Sequence, residues 1–314
     1  MFLSVIIPTR NRARHLEGVL SSLRGQTHGA ESFEVLVVDN GSTDNTRDVC
    51  ETFRAFLPNF QYLYDSHPGL HVGRHLGMKR AQADILVYAD DDIEAFPTWL
   101  EGIAEAFEDD DLALAGGKNL PKFESAPPDW IQRLWKADHK GRRVLGYLSI
   151  FDFGDSIKEV NPLFIFGCNF SIRKKIILEA GGFHPDSMPI ELIRYRGDGE
   201  THISRFIRTR GYKSIYHPKA SLYHLVPMER MKVDYFSRRA FFQGISDSYT
   251  SIRNRRGRLS TYALELKILI QVLFSGKPDS TFVMSYLRGF LYHQREVKND
   301  PALQMWVMKD TYLD

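Results

Sequence analysis

Over its first 117 residues the chain alternates short apolar runs with amphipathic helical patterns, and this alternation limits the available folds more than any other feature. Strands are expected at 3–8, 33–38, 60–64, 85–88 and 112–115, with helices over 13–23, 44–56, 72–81 and 98–107 between them. Strands that take turns with helices build βαβ units and a largely parallel sheet. In such sheets ligands bind outside the carboxyl ends of the strands.

The run Tyr88-Ala89-Asp90-Asp91-Asp92-Ile93 stands where the fourth expected strand gives out. Three adjacent carboxylates repel one another, and their charge favours a cation. An oxygen-rich site suits Mg²⁺ or Mn²⁺. The alternative is a solvated acidic turn in which Asp92 caps a helix. Two further strand ends lie on the same edge: Pro8-Thr9-Arg10-Asn11-Arg12 and Asp39-Asn40-Gly41-Ser42-Thr43-Asp44. Arg10 and Arg12 suit phosphates, and Asp39 suits a base or ribose. Read alone, the second stretch is also an ordinary tight turn with Asp44 as helix cap. It is a poor calcium loop, because its glycine comes too early and no glutamate falls at the twelfth position. Gly69, Gly73 and Gly77 recur every four residues, which reads as close helix packing and not as a dinucleotide fingerprint.

With 314 residues, 43% hydrophobic, 25% charged and net charge +2, the composition excludes wholesale disorder and carries no nucleic-acid signature. Two distant cysteines, Cys50 and Cys168, point to a reducing compartment; Cys50 reads as a small core hydrophobe. Residues 1–8 read as a first strand and not as a leader. No apolar run reaches the roughly 20 residues that span a bilayer. The longest, 262–274, is interrupted by Glu265 and Lys267. A cytoplasmic protein, at most peripheral on the inner face of a membrane, is the expectation.

Residues 118–160, with Pro121, Pro127, Pro128, Trp130 and Trp135, break the rhythm and read as a long irregular excursion. Alternation resumes with an apolar strand at 164–167, helices at 174–179 and 200–210, and a strand at 214–216. From Glu229 onward the pattern is helical. There Arg238, Arg239, Arg253, Arg255, Arg256 and Arg258 stand beside Tyr235, Phe236, Phe241, Phe242 and Tyr249. Such a stretch docks on anionic lipid, or packs as an appendage or a homodimer contact.

Taken together, Ser4-Val5-Ile6-Ile7-Pro8-Thr9-Arg10-Asn11-Arg12, Val37-Val38-Asp39-Asn40-Gly41-Ser42-Thr43-Asp44 and Ala89-Asp90-Asp91-Asp92 closely resemble family 2 glycosyltransferases. The resemblance continues through Gly73-Arg74-His75, Phe166-Gly167-Cys168-Asn169-Phe170-Ser171-Ile172-Arg173, Gly181-Gly182-Phe183 and His224. His75 departs from the family's usual Asn. The resemblance implies the α/β GT-A fold, Rossmann-like, for residues 1–225, with 118–160 on the acceptor side and 226–314 as a helical extension. It implies an inverting, non-processive transferase acting on a nucleotide-sugar, UDP-linked by preference, with a glycan or lipid-linked saccharide as acceptor and Mn²⁺ or Mg²⁺ as cofactor.

The implied roles fall on named positions. Pro8, Thr9 and Arg10 line the nucleotide pocket, Asp39 hydrogen-bonds the base and Arg74 helps close the pocket. Asp90 or Asp91 meets the ribose or donor sugar, while Asp92, with His224, holds the metal. Aligning Gly211-Tyr212 puts Glu200 where the family's catalytic Asp stands, so the usual Glu-Asp pair is Gly199-Glu200 here and Asp198 is a second candidate base. Trp130 and Trp135 stack on an acceptor sugar or pack under a loop. A sugar nucleotidyltransferase and a nucleotide-sugar-binding protein without catalysis are the alternatives; the first lacks its Gly-rich loop after strand one.

Overall fold

A computed structural model describes residues 1–259 and 279–313. The expected alternation is present as β1 (Leu3–Thr9), α1 (Ala13–Arg24), β2 (Phe33–Asp39), α2 (Thr46–Arg54), β3 (Phe60–Tyr64), α3 (Leu70–Arg80), β4 (Ile85–Ala89), β5 (Ile93–Ala95), α4 (Trp99–Ala106) and β6 (Leu112–Gly116). β1 pairs in parallel with both β2 and β4, and β2 with β3. Every residue of β1, β2 and β4 is buried, as expected for parallel strands covered on both faces. Alternate residues serve opposite cores. Val5, Ile7, Val35 and Val37 pack with Leu16, Leu20 and Ile103 on one face; Ile6, Leu36 and Leu86 pack with Met78, Ile177 and Ile203 on the other.

Residues 118–160 are not an irregular excursion. They carry β7 (Asn119–Phe123), α5 (Asp129–Leu134), β8 (Arg143–Leu145), β9 (Ile150–Asp152) and β10 (Lys158–Glu159). β10 joins the main sheet; the others build a second sheet in the order β5-β13-β7-β9-β8, where β13 is Leu222–Val226. Strands this short leave no sustained alternation to read. Trp130 is half-buried against the core, edge-on to Phe236 with ring centroids 4.7 Å apart, and neither Trp130 nor Trp135 lines the main cleft.

The strand expected at 164–167 lies later, at β11 (Asn169–Arg173), antiparallel to both β4 and β6. Its buried Asn169 disguised it. Nδ2 donates to Asn119 Oδ1 and to the carbonyl of Ala220, and Oδ1 accepts from Trp99 Nε1, so one polar side chain ties the two sheets together. The apolar run before it is instead a turn, opened by Pro162 and capped by Asn161. α6 (Lys174–Ala180), α7 (Glu200–Arg210) and β12 (Lys213–Tyr216) follow near their expected places. The main sheet runs β10-β12-β6-β11-β4-β1-β2-β3.

Among the described residues the C-terminal part is helical as expected: α8 (Val233–Asn254), α9 (Asp279–Asn299) and α10 (Pro301–Val307). The apolar run 262–274 lies outside the described residues. α8 and α9 cross closely, because a Cβ on Gly244 would stand 2.1 Å from the carbonyl oxygen of Tyr286 and one on Gly289 1.9 Å from that of Phe241. α8 also fastens the chain before α7, since Ser246 Oγ donates to the carbonyl of Gly197 and Thr250 Oγ1 to Asp198. Arg253 is structural, donating to the carbonyls of Val307 and Lys309. Cys50 is fully buried in α2. Among the described residues no helix is long and apolar enough to cross a membrane.

Candidate functional site

The carboxyl ends of β1 and β4 meet in a cleft of about 320 Å³. The exit of β1 grips the aspartate run: Thr9 Oγ1 donates to Asp91 (2.7 Å), and Arg12 pairs with Asp91 (2.6 Å) and Asp92 (2.8 Å). Burial pushes the Asp91 carboxyl up to about 7 against the pull of Arg12. The β2 exit is tied to the β1 exit through Asn11, which donates from its amide to Ser42 Oγ and accepts at Oδ1 from Thr43. Pro8, Thr9, Arg10 and Asn40 line this end of the cleft. Asp39 lies behind them, buried, accepting from the Ser42 amide and the Tyr62 hydroxyl.

The second sheet supplies the opposite wall. Pairing of His224 with Ile93 between β13 and β5 sets the imidazole beside Asp92. His224 Nδ1 is 2.7 Å from the carbonyl oxygen of Leu148, which can only accept, so Nδ1 carries the proton. Nε2 then faces Asp92 Oδ1 at 3.1 Å. Two acceptors this close need a proton or a cation between them. A ring nitrogen fixed by a backbone carbonyl and aimed at a carboxylate is a metal ligand's surroundings. Asp90, whose side chain is 35% exposed, also has a carboxylate oxygen within 4.8 Å of the His224 ring nitrogen. The donor atoms that lie within 4.8 Å of one another are those of Asp90, Cys168 and His224, with Asp92 beside His224 only; the carboxylate and imidazole donors suit a divalent cation of the Mg²⁺ or Mn²⁺ class. Cys168 lies within the same distance, its thiol pushed well up by burial, and a soft sulfur donor is not what Mg²⁺ or Mn²⁺ favours. Although burial works the other way, His224, Arg230 and Arg12 hold Asp92 well below the usual carboxylate range.

Arg74 on α3 is buried between two carboxylates, 3.3 Å from Glu200 and 3.8 Å from Asp90. Glu200, at the start of α7, also accepts the Gly167 amide (3.2 Å) and lines the cleft. Gly199 before it has φ +54, and a Cβ there would stand 2.9 Å from Asp186 Oδ2, which accounts for a glycine at the position. Asp198 is not in the lining. It is buried, 2.6 Å from both His184 Nδ1 and Thr250 Oγ1, and those partners hold its carboxyl down against the effect of burial. His75, the departure from Asn, accepts the Phe183 amide at Nε2.

Among the cleft residues that escaped the sequence reading are Tyr147, Asp186 and Arg230, while Arg239 reads there only as part of a basic stretch. Arg230 donates to Asp92 at 2.5 Å from an isolated Met-Glu-Arg-Met stretch that carries no signal. Arg239 had one, since it follows Phe236 by three residues and precedes Ala240, both fully buried, and so belongs to the inward side of α8.

Comparison with known proteins bears on the family and the fold. The family described as "Glycosyl transferase family 2" matches residues 4–181. "Glycosyltransferase AglE" of Haloferax volcanii is 33% identical over 168 residues, covering 51% of this chain and 55% of that protein, so the chain spans about half the length of that relative. "Glucosyl-dolichyl phosphate glucuronosyltransferase" of the same organism is 24% identical over 78% of this chain and 76% of that protein. Among solved structures, a mannosyltransferase of Pyrobaculum calidifontis in complex with GDP-Man and Mn²⁺ superposes with TM-score 0.57 at 17% identity, over 99% of this chain and 84% of that one. S. aureus TarS 1-349 with UDP-GlcNAc gives 0.54 at 17% identity, over 99% and 93%. These two likenesses establish the fold as GT-A-like.

Proposed function

The chain belongs to glycosyl transferase family 2, and from that premise we propose that it moves a sugar from a nucleotide-sugar to a hydroxyl of a glycan or lipid-linked saccharide, with inversion. The convergence of the β1 exit, the aspartate run with His224, and Glu200 on one cleft carries the reading. Pro8, Thr9 and Arg10 take the nucleotide, with Asp39 as partner of the base through lone pairs left beyond Ser42 and Tyr62. Arg74 closes the pocket, and Asp90 or Asp91 meets the ribose or donor sugar. Asp92 and His224 would hold the metal, which when bound supplies charge neutralisation at the departing diphosphate.

Glu200 is the general base. It accepts the proton of the attacking hydroxyl as oxygen bonds to the anomeric carbon and the bond to the diphosphate breaks. Arg74 keeps its carboxylate in place. A relative named for a dolichyl-phosphate-linked substrate supports a lipid-linked acceptor, and solved neighbours with UDP- or GDP-sugars support the donor class.

The test is a thermal-shift panel of UDP, GDP, dTDP and CDP, each with and without Mn²⁺, because a ligand that binds only the native state raises the midpoint. A Mn²⁺-dependent rise with one nucleotide supports the reading and names the donor class. No rise with any of them moves the weight to a protein without catalysis.

A further inference from the structure

The cleft arginines differ in how they are compensated. Arg12 pairs with Asp91 and Asp92, Arg74 with Asp90 and Glu200, and Arg230 with Asp92. Asp186, close enough to feel the charge of Arg239, is paired with Arg196 at 2.5 Å. Arg239 on α8 has no ion pair within 4 Å and no hydrogen bond among the described residues, and its Nε is buried without a partner. Arg10 is also uncompensated, but it is exposed and belongs to the nucleotide end.

A buried guanidinium nitrogen without an acceptor is costly, and its planar fork matches carboxylate or phosphate oxygens. Arg239 lies on the inward side of α8 and lines the cleft; its charge reaches Tyr147 and Asp186, and Asp186 stands against Gly199, the neighbour of Glu200, which puts Arg239 on the Glu200 side. The one carboxylate nearby that lines the cleft, Asp186, is already taken by Arg196. We infer that the acceptor carries an anionic oxyacid group, a carboxylate or a phosphate ester, and that Arg239 binds it. The inference rests on the donor reading above. It makes Arg239 a specificity residue that selects a charged acceptor over its neutral counterpart.

The experiment loads the full chain with Mn²⁺ and UDP, or with whichever nucleoside diphosphate of the panel gives the shift. Binding of methyl β-D-glucuronide, glucose 6-phosphate and methyl β-D-glucoside is then measured by calorimetry. At least one charged sugar is expected to bind about tenfold or more tighter than the neutral glucoside. The glucuronide and phosphate arms tell a carboxylate from a phosphate ester. Arg239→Gln should erase the preference while the nucleotide-dependent shift remains, and Arg239→Lys should keep part of it. Equal binding of all three sugars, or a preference that survives in Arg239→Gln, overturns the inference and leaves the donor reading standing. Absence of any nucleotide shift in the unaltered protein is the separate failure of the donor reading; the charge preference of the unloaded protein then decides the arginine site by itself.

Discussion

Arg74 Nη1 lies 3.3 Å from Glu200 Oε2 while Nη2 of the same guanidinium is 3.8 Å from Asp90, so one buried cation joins the aspartate run to the start of α7. This link separates the two carboxylates offered by the stretch Asp198-Gly199-Glu200. Glu200→Gln keeps the shape of the site and removes the proton acceptor. Transfer should fall by about 10²–10⁴-fold with the nucleotide-dependent thermal shift retained. Transfer at the unaltered rate would remove Glu200 from the base role.

Asp198→Ala should act on the fold instead. It strips His184 Nδ1 and Thr250 Oγ1 of their shared acceptor in a buried network that fastens α8 to the chain before α7. Losing hydrogen bonds to a buried carboxylate costs on the order of 2–3 kcal/mol. A denaturant midpoint well below that of the unaltered protein, with nucleotide affinity kept in the folded fraction, is the expected result. An unaltered midpoint with transfer lost would instead make Asp198 the reacting carboxylate.

Removing one acceptor at the proposed metal ligands gives a different signature. Asp92→Asn takes the negative charge from between His224, Arg12 and Arg230. The Mn²⁺-dependent part of the nucleotide shift should disappear. His224→Ala should weaken it in the same direction, because it removes the ring nitrogen that Leu148 orients. A Mn²⁺-dependent shift of unaltered size in both variants would show that the cation is held elsewhere.

Acid should weaken the fold through histidines well before ordinary carboxylates titrate. Burial lowers His71, His184 and His293 to about 4 and His75 to about 3. An unfolded histidine titrates near 6.5. Between these values the unfolded chain binds more protons, so stability present above about pH 6.5 is lost as pH falls towards 4, by up to ~1.4 kcal/mol per pH unit for each group. The melting temperature should drop steadily from pH 7 to pH 5. His293→Gln, which can keep a bond to Ser248 and cannot be protonated, should make that slope shallower. A flat profile over this range would mean that these rings do not enter the folded interior as neutral groups.

What the sequence made legible follows from side-chain chemistry. Strands β1, β2 and β4 are continuous apolar runs buried on both faces, and their polar exits hold Thr9, Arg12 and the aspartates that meet in space. β11 stayed hidden because Asn169 and Ser171 are buried in its interior, and local pattern cannot reveal that Asn119, Trp99 and Ala220 satisfy the former. The second sheet stayed hidden because three of its five strands have only three residues, too few to show a period. Helical spacing marks Arg239 as inward on α8, but which cleft that side faces, and the reach of Arg230 from the turn before α8 to Asp92, depend on tertiary packing that spacing does not encode.

The glycines of α1 and α3 test the packing reading with one substitution of opposite sign. Gly18 is exposed on α1, and a Cβ there would meet nothing within 4 Å. Gly18→Ala should therefore stabilise the protein by about 0.4–1 kcal/mol through backbone entropy alone. Gly77 faces β1, where a Cβ would stand 2.4 Å from Ile6 Cγ2. Isoleucine is branched and stiff at χ1, and Ile6 is fully buried between β1's neighbours, so it has little room to yield. The overpacking cost of ~1–3 kcal/mol should exceed the helix-propensity gain of at most ~1 kcal/mol, leaving Gly77→Ala less stable than the unaltered protein. Denaturant titration of both variants decides the matter: if Gly77→Ala gained stability as Gly18→Ala does, α3 would not sit as close to β1 as the glycine spacing requires.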